Sequence, residues 1–154
     1  RCSFGELLSS DQGKVKSIGV SNYGEHHLQE LFGYCRYRPT INQVELSPYL
    51  TRSSLIAFCR QHDIVLESYS PLTKGQKLDD PKLVEIARKY GKSTAQILLR
   101  WAFQHDYVII PKTVRRERMH ENVDIDFEIS AADMETLDGF NEDLVTGWDP
   151  TVRP

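Results

Sequence analysis

The sequence predicts an α/β fold, half of a (β/α)8 barrel, and three observations carry that expectation. Four short β-rich runs alternate with stretches of helical spacing. The runs carry polar residues toward their ends: Ser21-Asn22, Gln43, Tyr69-Ser70 and Lys112-Thr113. No Gly-x-Gly-x-x-Gly string follows any run, which removes the fingerprint of a doubly wound dinucleotide fold. Strands alternating with helices imply a parallel sheet with right-handed crossovers. A barrel draws its site from the C-terminal ends of several strands, where these polar residues fall. Four units make half of such a barrel, since a complete one needs at least about 200 residues.

The elements follow in order. Lys16–Asn22 is a short β-rich run stopped by polar residues, and His27–Phe32 has helical spacing. Ile41–Leu46 is the second strand. Thr51 is placed to cap a helix with Leu55, Ile56 and Phe58 on one side. Ile64–Ser70 is the third strand, ended by Pro71, which cannot continue a central ladder. Asp80-Pro81 reads as an N-cap with proline at the first helical position, and Gly91 as the C-cap. Ser93-Thr94-Ala95-Gln96 reads as a capping box. The helix it opens buries Ile97, Leu98, Trp101 and Ala102. Tyr107–Ile110 is a fourth, almost wholly apolar strand, ended by Pro111. Short helices are expected near Glu117–Val123 and Ala131–Gly139, the latter opened by Ser130 and Asp133. The tail Asn141–Pro154 has no clear period.

Bulk properties narrow the class. The 154 residues suit a single domain, 1–154. A net charge of −3 argues against general nucleic-acid binding. The apolar runs are too short and too broken by charge to span a membrane, and the opening Arg1–Glu6 lacks the apolar core of a signal peptide. Cys2, Cys35 and Cys59 are scattered and odd in number, which reads as reduced thiols in a cytoplasmic protein. The five histidines form no ligand set. His26 and His27 are adjacent, so on a helix they point about 100° apart, and no metal is expected.

Four strings then stand in register: Gly19-Val20-Ser21-Asn22, Asn42-Gln43-Val44-Glu45, Tyr69-Ser70-Pro71-Leu72 and Ile110-Pro111-Lys112-Thr113, with Arg118 and Glu121-Asn122 behind them. Each is weak alone. Together, in order and spacing, they resemble the aldo-keto reductases from about Gly13 to Asn141, with 142–154 as a tail. The resemblance implies that the four strands are strands five to eight of that family's barrel. It also implies a soluble oxidoreductase that reduces small aldehydes or ketones with NADPH.

By the same resemblance Ser21, Asn22 and Gln43 hold the carboxamide of nicotinamide. These side chains supply both donors and acceptors, as an amide requires. By itself, serine–asparagine after a strand is more often a turn or helix cap. Tyr69 stacks on the nicotinamide ring, which needs no proton transfer; it is a different tyrosine from the family's acid. Ser70, Leu72 and Val114 fall within the cofactor-contacting strings. Lys112, Thr113 and Arg118 face the 2′-phosphate, and Glu121 and Asn122 reach the adenine. Positive charge at a helix N-terminus opposes the dipole unless an anion sits there. Arg115 and Arg116 are less constrained, because family members vary there. Glu67 shares a strand face with Tyr69 and would need a partner; no role follows for it from the sequence.

The family's acid is a tyrosine supported by an aspartate, a lysine and a histidine, all from the first half of the barrel. The resemblance therefore implies that they are absent here, so no catalytic residue is assigned and the isolated chain is expected to be inactive. A half-barrel also exposes strand edges and its apolar interior, which favours a homodimer or a missing N-terminal half. The alternative function is a non-catalytic module binding NADPH or a protein partner. A Schiff-base lyase using Lys112 is disfavoured, because the resemblance places Lys112 in a phosphate site. The short loop Thr73–Lys77 implies a less enclosed cofactor. Trp148 either lines a substrate pocket or packs the tail.

Overall fold

The computed structural model describes residues 15–153. Cys2, the opening Arg1–Gly5 and the start of the family-like region at Gly13 lie outside the described residues. The strands are β1 (Gly19–Ser21), β2 (Ile41–Glu45), β3 (Val65–Tyr69) and β4 (Val108–Ile110). The helices are α1 (Glu25–Phe32), α2 (Ser53–Gln61), α3 (Pro81–Tyr90), α4 (Thr94–Gln104), α5 (Arg116–Val123) and α6 (Ala131–Asp138). Thr73–Gly75 and Pro150–Val152 form 3-10 turns. The strands follow one another across the sheet in the order β1-β2-β3-β4. β1 and β2 pair in parallel, with Ser21 opposite Gln43. The expected α/β class with parallel strands is therefore the one observed.

Two compact units share this chain. The first holds the described residues through Val44, Ser53–Glu67 and the segment from Trp148 onward. Its core is Val20, Leu28, Leu31, Val44, Ile56 and Leu66, each below 9% exposed. Asn42 is fully buried and pins the segment after β1: its Nδ2 donates to the Tyr23 carbonyl at 2.8 Å. Helix α1 starts two residues before the expected His27. The cause is His27 itself, whose Nδ1 accepts the Gly24 N–H at 2.9 Å and closes the first turn from within. His26 Nε2 meets the Arg153 carbonyl at 2.8 Å. Cys59 is buried beside Asn42, and that burial pushes its thiol pKa up, as for an unreactive packing residue.

The second unit holds Glu45–Arg52 and Ser68–Gly147. Its helices follow the capping signals closely. Asp80 Oδ1 accepts the Lys82 N–H at 2.9 Å, Pro81 opens α3, and Gly91 closes it at φ 61°. Ser93 and Gln96 exchange both hydrogen bonds of the capping box, at 3.2 and 3.0 Å. Trp101 is 1% exposed, and its Nε1 donates to Asp138 Oδ1 at 2.7 Å, joining α4 to α6.

Several boundaries differ from the sequence reading. Each strand is shorter than its apolar run; Tyr107, for example, gives its N–H to the Ala102 carbonyl at 3.1 Å and belongs to the turn after α4. Helix α2 begins at Ser53 and not from a Thr51 cap. Arg52 stands at φ 47°, outside helical space, and Thr51 gives its backbone N–H to Asn141 Oδ1 at 3.0 Å.

A cluster on α3 and α6 yields a pH prediction. Asp133 accepts from Lys89 Nζ at 2.6 Å, from the Tyr90 hydroxyl, and from Ser130 Oγ at 2.9 Å. The Lys89 hydrogen bond, then that of Tyr90, lowers the Asp133 carboxyl from 3.8 to about 2. A depressed carboxyl stabilises the fold above its unfolded value and loses that contribution as pH falls through the folded one. Stability should therefore drop between about pH 4 and pH 2, by roughly 1–2 kcal/mol from this group after allowance for solvent screening. Denaturant titrations at pH 5 and pH 2.5 measure it. Asp133→Ala should flatten that step, and an unchanged step would remove Asp133 as its cause.

Candidate functional site

The sequence-predicted residues fall into sets, each positioned by the C-terminal end of a strand. In the first unit, parallel pairing places Ser21 directly across from Gln43. Ser21 Oγ donates to the Gln43 carbonyl at 3.1 Å, and the Asn22 N–H donates to the same oxygen at 2.8 Å. Three of the expected residues are thus brought together by backbone geometry. Asn22 adopts φ 59°, a left-handed conformation that asparagine tolerates better than most residues. Strand alternation decides which side chains stay available. Asn42 and Val44 turn into the core, while Gln43 is only half-buried and Ser21 is exposed. Gln43 Nε2 donates to Glu67 Oε1 on β3. Glu67, a carboxylate that needs a partner on this face, thus finds one in Gln43.

In the second unit, Tyr69 ends β3 half-buried, and Ser70 follows at φ 48°. The Ser70 carbonyl accepts the Thr73 N–H at 2.8 Å and turns the chain sharply through Leu72. The Thr73–Gly75 turn is tied by Lys74, which donates to the Thr146 carbonyl at 3.1 Å. After β4 come Lys112, Thr113 and Val114, with Lys112 and Val114 exposed. Thr113 Oγ1 accepts the Arg115 N–H at 3.1 Å, an ordinary turn bond that leads into α5. Arg115 sits at the N-cap and gives no side-chain cap. Lys112, Arg115, Arg116 and Arg118 are all exposed, and none forms an ion pair with a described residue. Glu121 is half-buried, and Asn122, at 8% exposure, is the buried residue of α5. Arg115 is the N-cap of α5, Arg116 and Arg118 lie in its first turn together with Glu117, and Lys112 precedes it.

The model of the aldo/keto reductase family matches residues 8–142. The chain belongs to the aldo/keto reductase family. It is 47% identical over 146 residues to a glyoxal reductase of Bacillus subtilis, an alignment covering 94% of this chain and 52% of that protein. It is 44% identical to a 9,11-endoperoxide prostaglandin H2 reductase of Trypanosoma cruzi, covering 91% of this chain and 51% of that one. An aldo-keto reductase of the silkworm Bombyx mori, solved in complex with NADPH, superposes with a TM-score of 0.84 at 34% identity, over 94% of this chain and 47% of that one. The chain spans about half the length of the relatives it matches.

One buried group leaves little trace in the sequence. Glu45 is 2% exposed, and its carboxylate accepts from the Thr146 N–H at 3.1 Å and from the Thr146 hydroxyl. The available signal was a carboxylate between Val44 and Leu46, which cannot be buried there without partners. The partner itself is 101 residues away and leaves no local trace. Trp148 is 70% exposed. Among the described residues no histidine, cysteine and carboxylate cluster could hold a metal, and no helix is long and apolar enough to cross a membrane.

Proposed function

We propose that these residues form the cofactor-holding part of an NADPH-dependent carbonyl reductase acting on small aldehydes or ketones. The observation that carries this reading is the exposed set Lys112, Arg115, Arg116 and Arg118 around the start of α5, none of which forms an ion pair with a described residue. Lys112 and Arg118 take the 2′-phosphate, lysine as a compact charge and arginine as a planar fork, with Thr113 beside them. Glu121 and Asn122 reach toward the adenine, and Ser70, Leu72 and Val114 are further contacts to the cofactor. Ser21, Asn22 and Gln43 hold the carboxamide, and Tyr69 stacks on the ring. When bound, NADPH supplies the hydride. The residues of this chain bind and orient, and none of them is assigned to deliver the proton. The acid and its aspartate, lysine and histidine partners come from the four further strands that a closed barrel needs. Free Cys35 and Cys59 suit a reducing, cytoplasmic setting.

The test separates the two ends of the cofactor. NADPH should bind the chain saturably, and so should adenosine 2′,5′-bisphosphate, which lacks the nicotinamide. Tyr69→Ala should weaken NADPH by roughly fivefold, within the range of an aromatic stacking contact, and leave the bisphosphate unchanged. Absence of binding by either compound would end the reading. Equal weakening of both would reduce Tyr69 to a packing residue.

A further inference from the structure

We propose that Glu67 is a positioning residue, fixing the amide of Gln43 so that its oxygen, and not its nitrogen, faces the nicotinamide carboxamide. The inference rests on the reading of Gln43 as a carboxamide partner. Gln43 and Glu67 belong to the same unit and lie on neighbouring strands. Both are half-buried, on strand faces opposite the buried Asn42, Val44 and Leu66. Gln43 Nε2 donates to Glu67 Oε1. A carboxylate can only accept, so the NH2 end of the glutamine is the end that fits against it. Turning the amide over would set oxygen against oxygen. Gln43 Oε1 accepts from no described residue, so it is left available to a ligand.

Ser21 reinforces this polarity. Its single hydroxyl proton is spent on the Gln43 carbonyl at 3.1 Å, so toward a ligand its oxygen acts as an acceptor. Two acceptors side by side match the two N–H bonds of a primary carboxamide. They offer nothing to a carboxylate at the same place. Glu67 thus sets a preference for carboxamide over carboxylate at the nicotinamide end without touching the cofactor.

The test uses the full 154-residue chain. Three probes are titrated: NADPH, its reduced nicotinic-acid counterpart, and adenosine 2′,5′-bisphosphate as the control for a folded adenine end. Glu67→Leu frees the Gln43 amide, and Glu67→Gln, nearly the same shape, lets it settle either way round. Both should weaken NADPH by roughly three- to tenfold, the worth of one misdirected hydrogen bond, and narrow its advantage over the nicotinic-acid form. The bisphosphate should bind as before. Exchanging the two groups, Gln43→Glu with Glu67→Gln, restores an acceptor at position 43 held by a donor at position 67, and should restore the preference. Suppose Gln43→Ala weakens NADPH while both Glu67 variants bind it normally: the positioning role is then overturned and the carboxamide reading stands. Normal NADPH binding by Gln43→Ala would overturn that reading, and the inference with it.

Discussion

The isolated 154-residue chain should show no aldehyde-dependent NADPH oxidation above background, and it should not behave as a monomer. The first expectation is chemical. Hydride delivery to a carbonyl builds negative charge on the oxygen, and a positioned acid contributes about 10²–10⁴-fold by protonating it. Tyr69 is assigned to stacking and Lys112 to phosphate, and no residue of this chain is assigned to deliver the proton. The second expectation is physical. Within its own unit, Val65 is 45% exposed, and within the other, Val108 and Ile110 are 42% and 40% exposed. In strands β3 and β4 these apolar side chains stand on the face opposite Leu66 and Ile109, where a closed barrel would bury them. An apolar strand face invites pairing with another copy or with further strands. Solution mass and an assay with a reactive aldehyde check both parts. Turnover would show that a residue of this chain serves as the acid. A monomer would show that these side chains need no cover.

NADPH should bind far more tightly than NADH, and the difference should disappear when the cations after β4 are removed. Lys112 and Arg118 make no ion pair with a described residue, so neither has an internal partner to give up when a phosphate arrives. A charge-assisted hydrogen bond is worth on the order of 1.5–3 kcal/mol. One lost contact then corresponds to about ten- to a hundredfold in affinity. Arg118→Ala and Lys112→Ala should each weaken NADPH by about that factor and leave NADH untouched. The preference should also shrink with added salt, because the contacts are exposed and the screening length is about 8 Å at physiological ionic strength. Equal affinities for the two cofactors in the unaltered chain, or a preference that survives Arg118→Ala, would remove these residues from the phosphate.

What the sequence made legible was local. The caps at Asp80, Ser93 and Ser130 follow from side chains that satisfy nearby backbone N–H groups, so their signals lie within a few residues. The order of strands and helices was legible because apolar spacing reports it directly. The start of α1 was not, because a histidine three residues inside the helix closes its first turn, and histidine there is an uncommon cap. Strand ends were overestimated because β-rich composition continues past the last ladder bond. In the candidate site, Ser21, Asn22 and Gln43 were placed together by their motifs, and parallel register accounts for it. The Gln43–Glu67 and Glu45–Thr146 bonds were invisible, since each joins residues far apart along the chain and depends on side-chain direction.

The first unit has a consequence for how the chain comes to be folded. Its early elements are completed by residues from Trp148 onward, and His26 meets Arg153 across a separation of 127 residues. A Cβ at Gly24 would lie 2.1 Å from the Thr151 carbonyl, so the two backbones touch. During synthesis at about 5–20 residues per second, the segment around β1 and α1 waits roughly ten seconds for this cover. Contacts of such sequence separation also close slowly in refolding. The second unit, apart from Glu45–Arg52, is one continuous stretch and needs no such wait. Folding should therefore run against the order of synthesis, with Ser68–Gly147 acquiring protection from hydrogen exchange before β1.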